Sequence, residues 1–168
     1  MAYGDRRTTT GGSRTAGQYS FAQVPSANIQ RSVFNRSCGV KTAFDGGYLV
    51  PIFVDEALPG DTMSLQMNSF TRMQSPVRAP FERLYQDVFF FAVPNRLVWA
   101  NWEKFNGAQD DPGDSTSFMV PQFTNTTVAE NSLSDYMGLP IAAGLEFNSL
   151  HHRAYNLIWN EWFRSEEH

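Results

Sequence analysis

The stretch Tyr48-Leu-Val-Pro-Ile-Phe-Val-Asp-Glu-Ala-Leu-Pro-Gly-Asp-Thr-Met-Ser-Leu-Gln-Met-Asn68 decides the fold class. Apart from Pro51, residues 48–54 are aromatic, β-branched or leucine, which is strand composition. Pro51 has no N–H to give to a ladder, so this strand belongs at a sheet edge or carries a bulge. Leu58-Pro59-Gly60-Asp61 sets Pro and Gly where a type II turn wants them. Beyond the turn Met63, Leu65 and Met67 face one way, while Thr62, Ser64, Gln66 and Asn68 face the other. That period-2 alternation predicts a half-buried strand over 62–68. With Gly46-Gly47 as punctuation in front, the order is strand, turn, strand, and the chain reads as mainly β.

Working outward toward the C-terminus, residues 74–83 form a linker holding Pro76 and Pro80. Leu84 to Val93 reads as another long strand, and its Phe89-Phe90-Phe91 run asks for cover on both faces. Pro94-Asn95 ends it. Asn95 is placed to N-cap a short helix from Arg96 to Phe105, with Val98, Trp102 and Phe105 on one side and Asn106-Gly107 as its stop. Residues 107–149 read as long surface loops with short strands at most, opening on the acidic turn Asp110-Asp111-Pro112-Gly113-Asp114. So long an irregular stretch is unusual unless the loops have a job. The last segment carries the strongest helix signal. Tyr155, Ile158, Trp159 and Trp162 recur at i, i+3, i+4 and i+7, Phe163 widens that face, and Arg153, Asn156, Asn160 and Arg164 line the other.

Working outward toward the N-terminus, residues 1–32 are rich in Thr, Gly, Ser and Gln and show no periodicity. Such a segment buries too little apolar surface to offset its ordering entropy, so it reads as an extended arm, with the folded part, 33–168, beginning near Val33. The charge divides at nearly the same place. Residues 1–44 hold Arg6, Arg7, Arg14, Arg31, Arg36 and Lys41 against Asp5, a balance of +5, and the remainder carries −9 toward the total of −4. The 168 residues suit one domain with a sizeable core and hardly two. The lone Cys38 allows no intrachain disulfide and no zinc site built on two cysteines of this chain. The longest apolar run, Val88 to Val93, falls well short of the ~20 residues of a membrane span. No apolar stretch follows Arg6-Arg7, so a secretory signal is not expected.

Chemistry-bearing patterns are sparse. His151 and His152 are adjacent, hence about 100° apart on a helix, and a helix-start pair facing solvent or a loop explains them more simply than a metal site. Cys38 lacks a base nearby in sequence and reads as a plain buried or half-buried thiol. Asp110, Asp111 and Asp114 do not match a calcium loop, and neither phosphate-binding glycine motif occurs. No catalytic set and no cofactor are expected. Asn35-Arg36-Ser37 and Asn125-Thr126-Thr127 match the glycosylation sequon, and with no secretory signal expected chance is the better account. The basic arm is the one electrostatic feature with a function attached. Arginines interleaved with Tyr3, Tyr19 and Phe21 can contact phosphates and stack on unpaired bases, or the arm can dock on a neighbouring subunit.

Several blocks resemble one family. Arg31-Ser-Val-Phe-Asn-Arg-Ser37, Gly47 through Thr62, Ser69-Phe-Thr-Arg-Met-Gln-Ser-Pro76, Phe89 through Gly107 and Arg153 through Arg164 are similar to the gokushovirus major capsid proteins of the Microviridae. The resemblance implies a viral jelly-roll β-sandwich with long loops and a few helical insertions. It implies a structural protein, not an enzyme, that associates with itself into a small T=1 icosahedral shell around circular single-stranded DNA. Partners would be further copies, packaged DNA and other virion proteins, with no membrane. The location would be the virion, and host cytoplasm during assembly. Arg6, Arg7, Arg14, Arg31 and Arg36 become candidate phosphate contacts, and Trp99, Trp102, Tyr155, Trp159 and Trp162 candidate subunit-packing residues. Family members are several times longer, so the sandwich is incomplete here and the chain is expected to be an N-terminal portion that exposes its aromatic face. A β-sandwich that binds carbohydrate through exposed Trp and Tyr is the rival reading, and an enzyme using Cys38 or His151 is a third.

Overall fold

The computed structural model describes residues 29–165, which belong to two units divided between Gly39 and Val40. In the first unit the described residues, 29–39, are exposed and form neither helix nor strand. Asn35 Oδ1 accepts hydrogen bonds from the backbone N–H (3.0 Å) and the hydroxyl (2.5 Å) of Ser37, a local Asx turn. Cys38 is exposed, not half-buried as its apolar character suggests. Its neighbours Ser37 and Gly39 are exposed as well and offer no cover.

The second unit contains, in order, the one-turn helices α1 (Asn95–Val98) and α2 (Trp102–Phe105), strand β1 (Gln122–Thr126), the one-turn helix α3 (Leu133–Tyr136), strand β2 (Leu145–Asn148) and helix α4 (Leu150–Ile158). A π-helical turn, Trp159–Phe163, continues α4. β1 and β2 pair antiparallel, with Gln122 opposite Asn148, Phe123 opposite Phe147 and Thr126 opposite Leu145. β1 uses three steps where β2 uses two, so it carries one extra residue, a β-bulge. Asn125 sits in that bulge at φ 50°, a left-handed conformation that Asn tolerates better than most side chains.

Buried side chains lie at both ends of this hairpin and at Trp99. Val128, Ser149 and Leu150 are 2%, 5% and 6% exposed, and Trp99 is 7% exposed. The backbone there is well satisfied. Val128 N–H donates to the Ala142 carbonyl at 2.9 Å, and both N–H and Oγ of Ser149 donate to the Pro121 carbonyl at 2.9 and 3.0 Å. The 107–149 region, expected as long surface loops with short strands at most, supplies both paired strands and two of the four buried residues found among the described ones.

Turns form where the sequence puts them. Gly47 takes φ 87° and Gly60 φ 86°, the sign a type II turn needs at its third residue. The Asp61 N–H donates to the Leu58 carbonyl at 3.0 Å, and the Asp61 carboxylate accepts the Leu58 N–H at 3.0 Å. The flanking strands do not form. Residues 48–54, 62–68 and 84–93 join no ladder among the described residues. Met63, Leu65 and Met67 are exposed, and so are Phe89 and Phe90. A strand needs a neighbour about 4.8 Å away to take its backbone groups, and none of these three pairs its backbone in a ladder with another described segment. The jelly-roll expectation thus reduces, among the described residues, to one two-stranded sheet.

The helix expected over 96–105 is broken in two. α1 begins after Pro94, and Asn95 lies inside it without a side-chain cap bond. Trp99 then leaves helical geometry at φ −145°, ψ 111°. That excursion turns its indole onto Trp102 (6.1 Å between centroids) and Phe105 (5.3 Å), which buries the largest side chain available. The stop at Asn106-Gly107 holds, with Gly107 at φ 98° and its N–H on the Lys104 carbonyl at 3.0 Å. The last helix also departs from one continuous stripe. From Trp159 on it widens to π geometry, and the Arg164 N–H reaches back five residues to the Trp159 carbonyl at 2.8 Å.

Candidate functional site

Three groups of side chains hold the second unit together and define its surfaces. The first is aromatic. Phe163 packs edge-on against Phe89 (5.6 Å) and Phe91 (6.2 Å), and Trp162 lies 5.6 Å from Phe91. Adjacent Trp162 and Phe163 on the π turn both reach the 89–91 run, which takes partial cover from this turn on one side. Trp162 remains 72% exposed, so a broad aromatic surface is left open. The second group is the Trp99–Trp102–Phe105 cluster. Arg153 crosses from α4 and donates from Nη1 to the Val98 carbonyl at 3.2 Å, taking one of the carbonyls left over at the end of α1.

The third group tethers the unpaired segment 43–56. The Tyr155 hydroxyl donates to the Leu49 carbonyl at 2.8 Å, and the Tyr136 hydroxyl to the Ala43 carbonyl at 3.0 Å. His151 Nε2 lies 3.1 Å from Glu56 Oε1. Burial raises the Tyr155 pKa above its ordinary value, which keeps the phenol protonated and able to donate. Side-chain bonds from α3 and α4 thus do for this segment part of what a ladder would do.

His152 corrects the sequence expectation of a solvent-facing pair. Its ring sits 5.1 Å from Phe123 of β1 and 5.5 Å from Phe147 of β2, and Nε2 is 2.8 Å from Ser134 Oγ of α3. Nδ1 is buried and has no hydrogen-bond partner among the described residues. Burial first, and the nearby charge of His151 second, hold its pKa below the ordinary 6.5. A sequence signal for this arrangement exists. Leu145-Glu-Phe-Asn148 alternates apolar and polar residues, but it spans only four positions among turn formers.

The acidic loop is local. The Asp114 carboxylate accepts the N–H groups of Asp110 (3.2 Å) and Asp111 (3.3 Å), and Lys104 Nζ lies 3.9 Å from Asp110. Among the described residues no three His, Cys, Asp or Glu side chains converge as metal ligands would, and no helix is long and apolar enough to cross a membrane. Of the basic candidates, Arg6, Arg7 and Arg14 lie outside the described residues. Arg31 and Arg36 are exposed in the first unit. Of the packing candidates, Trp99 is buried, Trp102 and Tyr155 are half-buried, and Trp159 and Trp162 are exposed.

Residues 22–168 match the model of the family described as Capsid protein (F protein). The chain is 49% identical over 152 residues to capsid protein VP1 of Bdellovibrio phage phiMH2K, covering 89% of this chain and 28% of that protein. It is 47% identical over 155 residues to capsid protein VP1 of Chlamydia phage 1, covering 87% of this chain and 26% of the relative. Capsid protein VP1 of Spiroplasma virus 4 is 30% identical over 152 residues, covering 88% and 28%. The chain therefore spans 26–28% of the length of the relatives it matches. The blocks at 31–37, 47–62, 69–76, 89–107 and 153–164 that carry the resemblance all fall inside the matched span, and the chain belongs to the Capsid protein (F protein) family.

Proposed function

We propose that this chain is part of a major capsid protein of a gokushovirus-like member of the Microviridae, a structural subunit without catalytic activity. The complete subunit folds as a jelly-roll sandwich and associates with copies of itself into a T=1 icosahedral shell enclosing circular single-stranded DNA. Its place is the virion, with assembly in the host cytoplasm. One observation carries the reading beyond the family match. The segments with strand composition, 48–54, 62–68 and 84–93, are unpaired here and present large apolar side chains to solvent. Such segments suit a sandwich whose other strands come from the rest of a longer polypeptide. Trp159 and Trp162, both exposed and the latter against Phe91, are apolar area of the kind that subunit contacts bury. The arm, with Arg6, Arg7, Arg14, Arg31 and Arg36, faces the packaged DNA and neutralises phosphates, and other virion proteins share the same interior.

Electron microscopy of the full-length gene product tests this. Uniform small icosahedral particles are expected, and monomers under every assembly condition would overturn the proposal. Replacing the five arginines by glutamine should leave shells that carry less DNA. Unchanged DNA content would make the arm a subunit-docking element instead.

A further inference from the structure

We propose that His152 is the pin of an acid-sensitive latch, which holds the β1–β2 hairpin and α3 onto α4 while its imidazole is neutral and releases them on protonation. The geometry places one ring where three elements meet: Phe123 from β1, Phe147 from β2 and Ser134 from α3. The neutral ring has one N–H and one acceptor nitrogen, and Ser134 serves Nε2 in either tautomer. A second proton, taken from solvent, makes both nitrogens donors. Nδ1 then needs an acceptor, and none of the described residues offers one. The added charge also lies against two phenyl rings that themselves touch, on a side where water is replaced by aromatic carbon.

The neighbouring charges do not supply compensation. β1 carries no titratable residue, and Glu146 of β2 is exposed on the side of the strand opposite Phe147. On α3, Asp135 Oδ2 accepts the Asn131 N–H at 2.9 Å, and the Tyr136 hydroxyl is turned to Ala43. On α4 itself, His151 pairs with Glu56, Arg153 with the Val98 carbonyl and Tyr155 with the Leu49 carbonyl. No carboxylate in these contacts faces the His152 ring, while positive charge on His151 adds repulsion.

The sign follows from where the proton binds. Above the ordinary histidine value of 6.5 both the closed and the opened states are neutral at this position. As pH falls below it, the opened state takes the proton first, and opening is favoured by up to tenfold per pH unit until the closed state also protonates. Hydrogen–deuterium exchange of the full-length polypeptide, followed from about pH 8 to about pH 5 and corrected for intrinsic rates, reads this directly. Amides of β2 and of the first turn of α4 should lose protection over that window. His152→Phe and His152→Gln cannot titrate at this position, and each should give a flat profile. The glutamine keeps a partner for Ser134 should the phenylalanine disturb folding. No loss in the natural chain, or the same loss in a non-titrating variant, would overturn the latch. His151→Gln should keep the pH dependence. A flat profile there would assign the effect to the His151–Glu56 pair and remove His152 from it.

Discussion

At the scale of the residue, polar tips of large side chains do the fastening. Tyr155 is the clearest case, because its hydroxyl reaches the Leu49 carbonyl at 2.8 Å from a partly buried position. Tyr155→Phe removes the donor, keeps the ring and leaves a carbonyl short of a partner. The expected loss is about 1 kcal/mol in a denaturant titration of the full-length protein. The same bond has an alkaline limit. Burial raises the folded Tyr155 pKa above 10.0, so its contribution is complete below that pH and disappears as pH climbs through the raised value. An ultraviolet titration should therefore show one tyrosine ionising late, and the late component should vanish in Tyr155→Phe.

At the scale of the element, legibility follows the range of the cause. The turns at Gly47 and Gly60 and the helix stop at Gly107 were readable because a positive φ is a property of one residue and its neighbours. The segments 48–54, 62–68 and 84–93 stay unpaired among the described residues because alternation states a capacity to pair, and pairing depends on a partner distant in sequence. The break at Trp99 is hidden for a related reason: Val98, Trp102 and Phe105 have helical spacing, but burying one indole outweighs the few hydrogen bonds of a short helix, and Val98 falls in one turn while Trp102 and Phe105 fall in the next. His152 was underrated because its surroundings come from positions 123, 134 and 147. The π turn was invisible to a 3.6-residue template, although it carries Trp162 and Phe163, which both reach the 89–91 run. Phe163→Ala removes the ring that packs edge-on against Phe89 and Phe91. The expected outcome is unchanged far-ultraviolet dichroism with a weakened near-ultraviolet aromatic signal. An unchanged near-ultraviolet signal would mean that this contact does not order the rings.

At the scale of the molecule, the balance between inside and outside is the dominant fact. Three apolar side chains are buried among the described residues, Trp99, Val128 and Leu150, against a long series of exposed ones that includes Phe53, Leu65, Phe70, Phe81, Phe90 and Trp162. A free chain with that surface associates, because apolar area left in water is stabilised by contact with more of its kind. The 168-residue chain made alone should bind a hydrophobic dye and scatter light at micromolar concentration. Co-expression with the rest of the capsid polypeptide should suppress both signals. A dye-silent, monodisperse monomer of the chain alone would show that the apolar segments cover one another in solution.

The tethers on segment 43–56 also set a schedule. Leu49 waits for Tyr155, which lies 106 positions later, and Ala43 waits for Tyr136, which lies 93 positions later. At a synthesis rate of roughly 5–20 residues per second, the earlier segment spends about 5–20 s outside the ribosome before its fastening residue exists. Throughout that interval Tyr48 to Val54 is a sticky, unclaimed strand on a growing chain. Many chains made at once on neighbouring ribosomes would present the same strand to one another. The speed of translation, and whatever shields nascent chains in the cell, then becomes part of how much correctly folded protein accumulates.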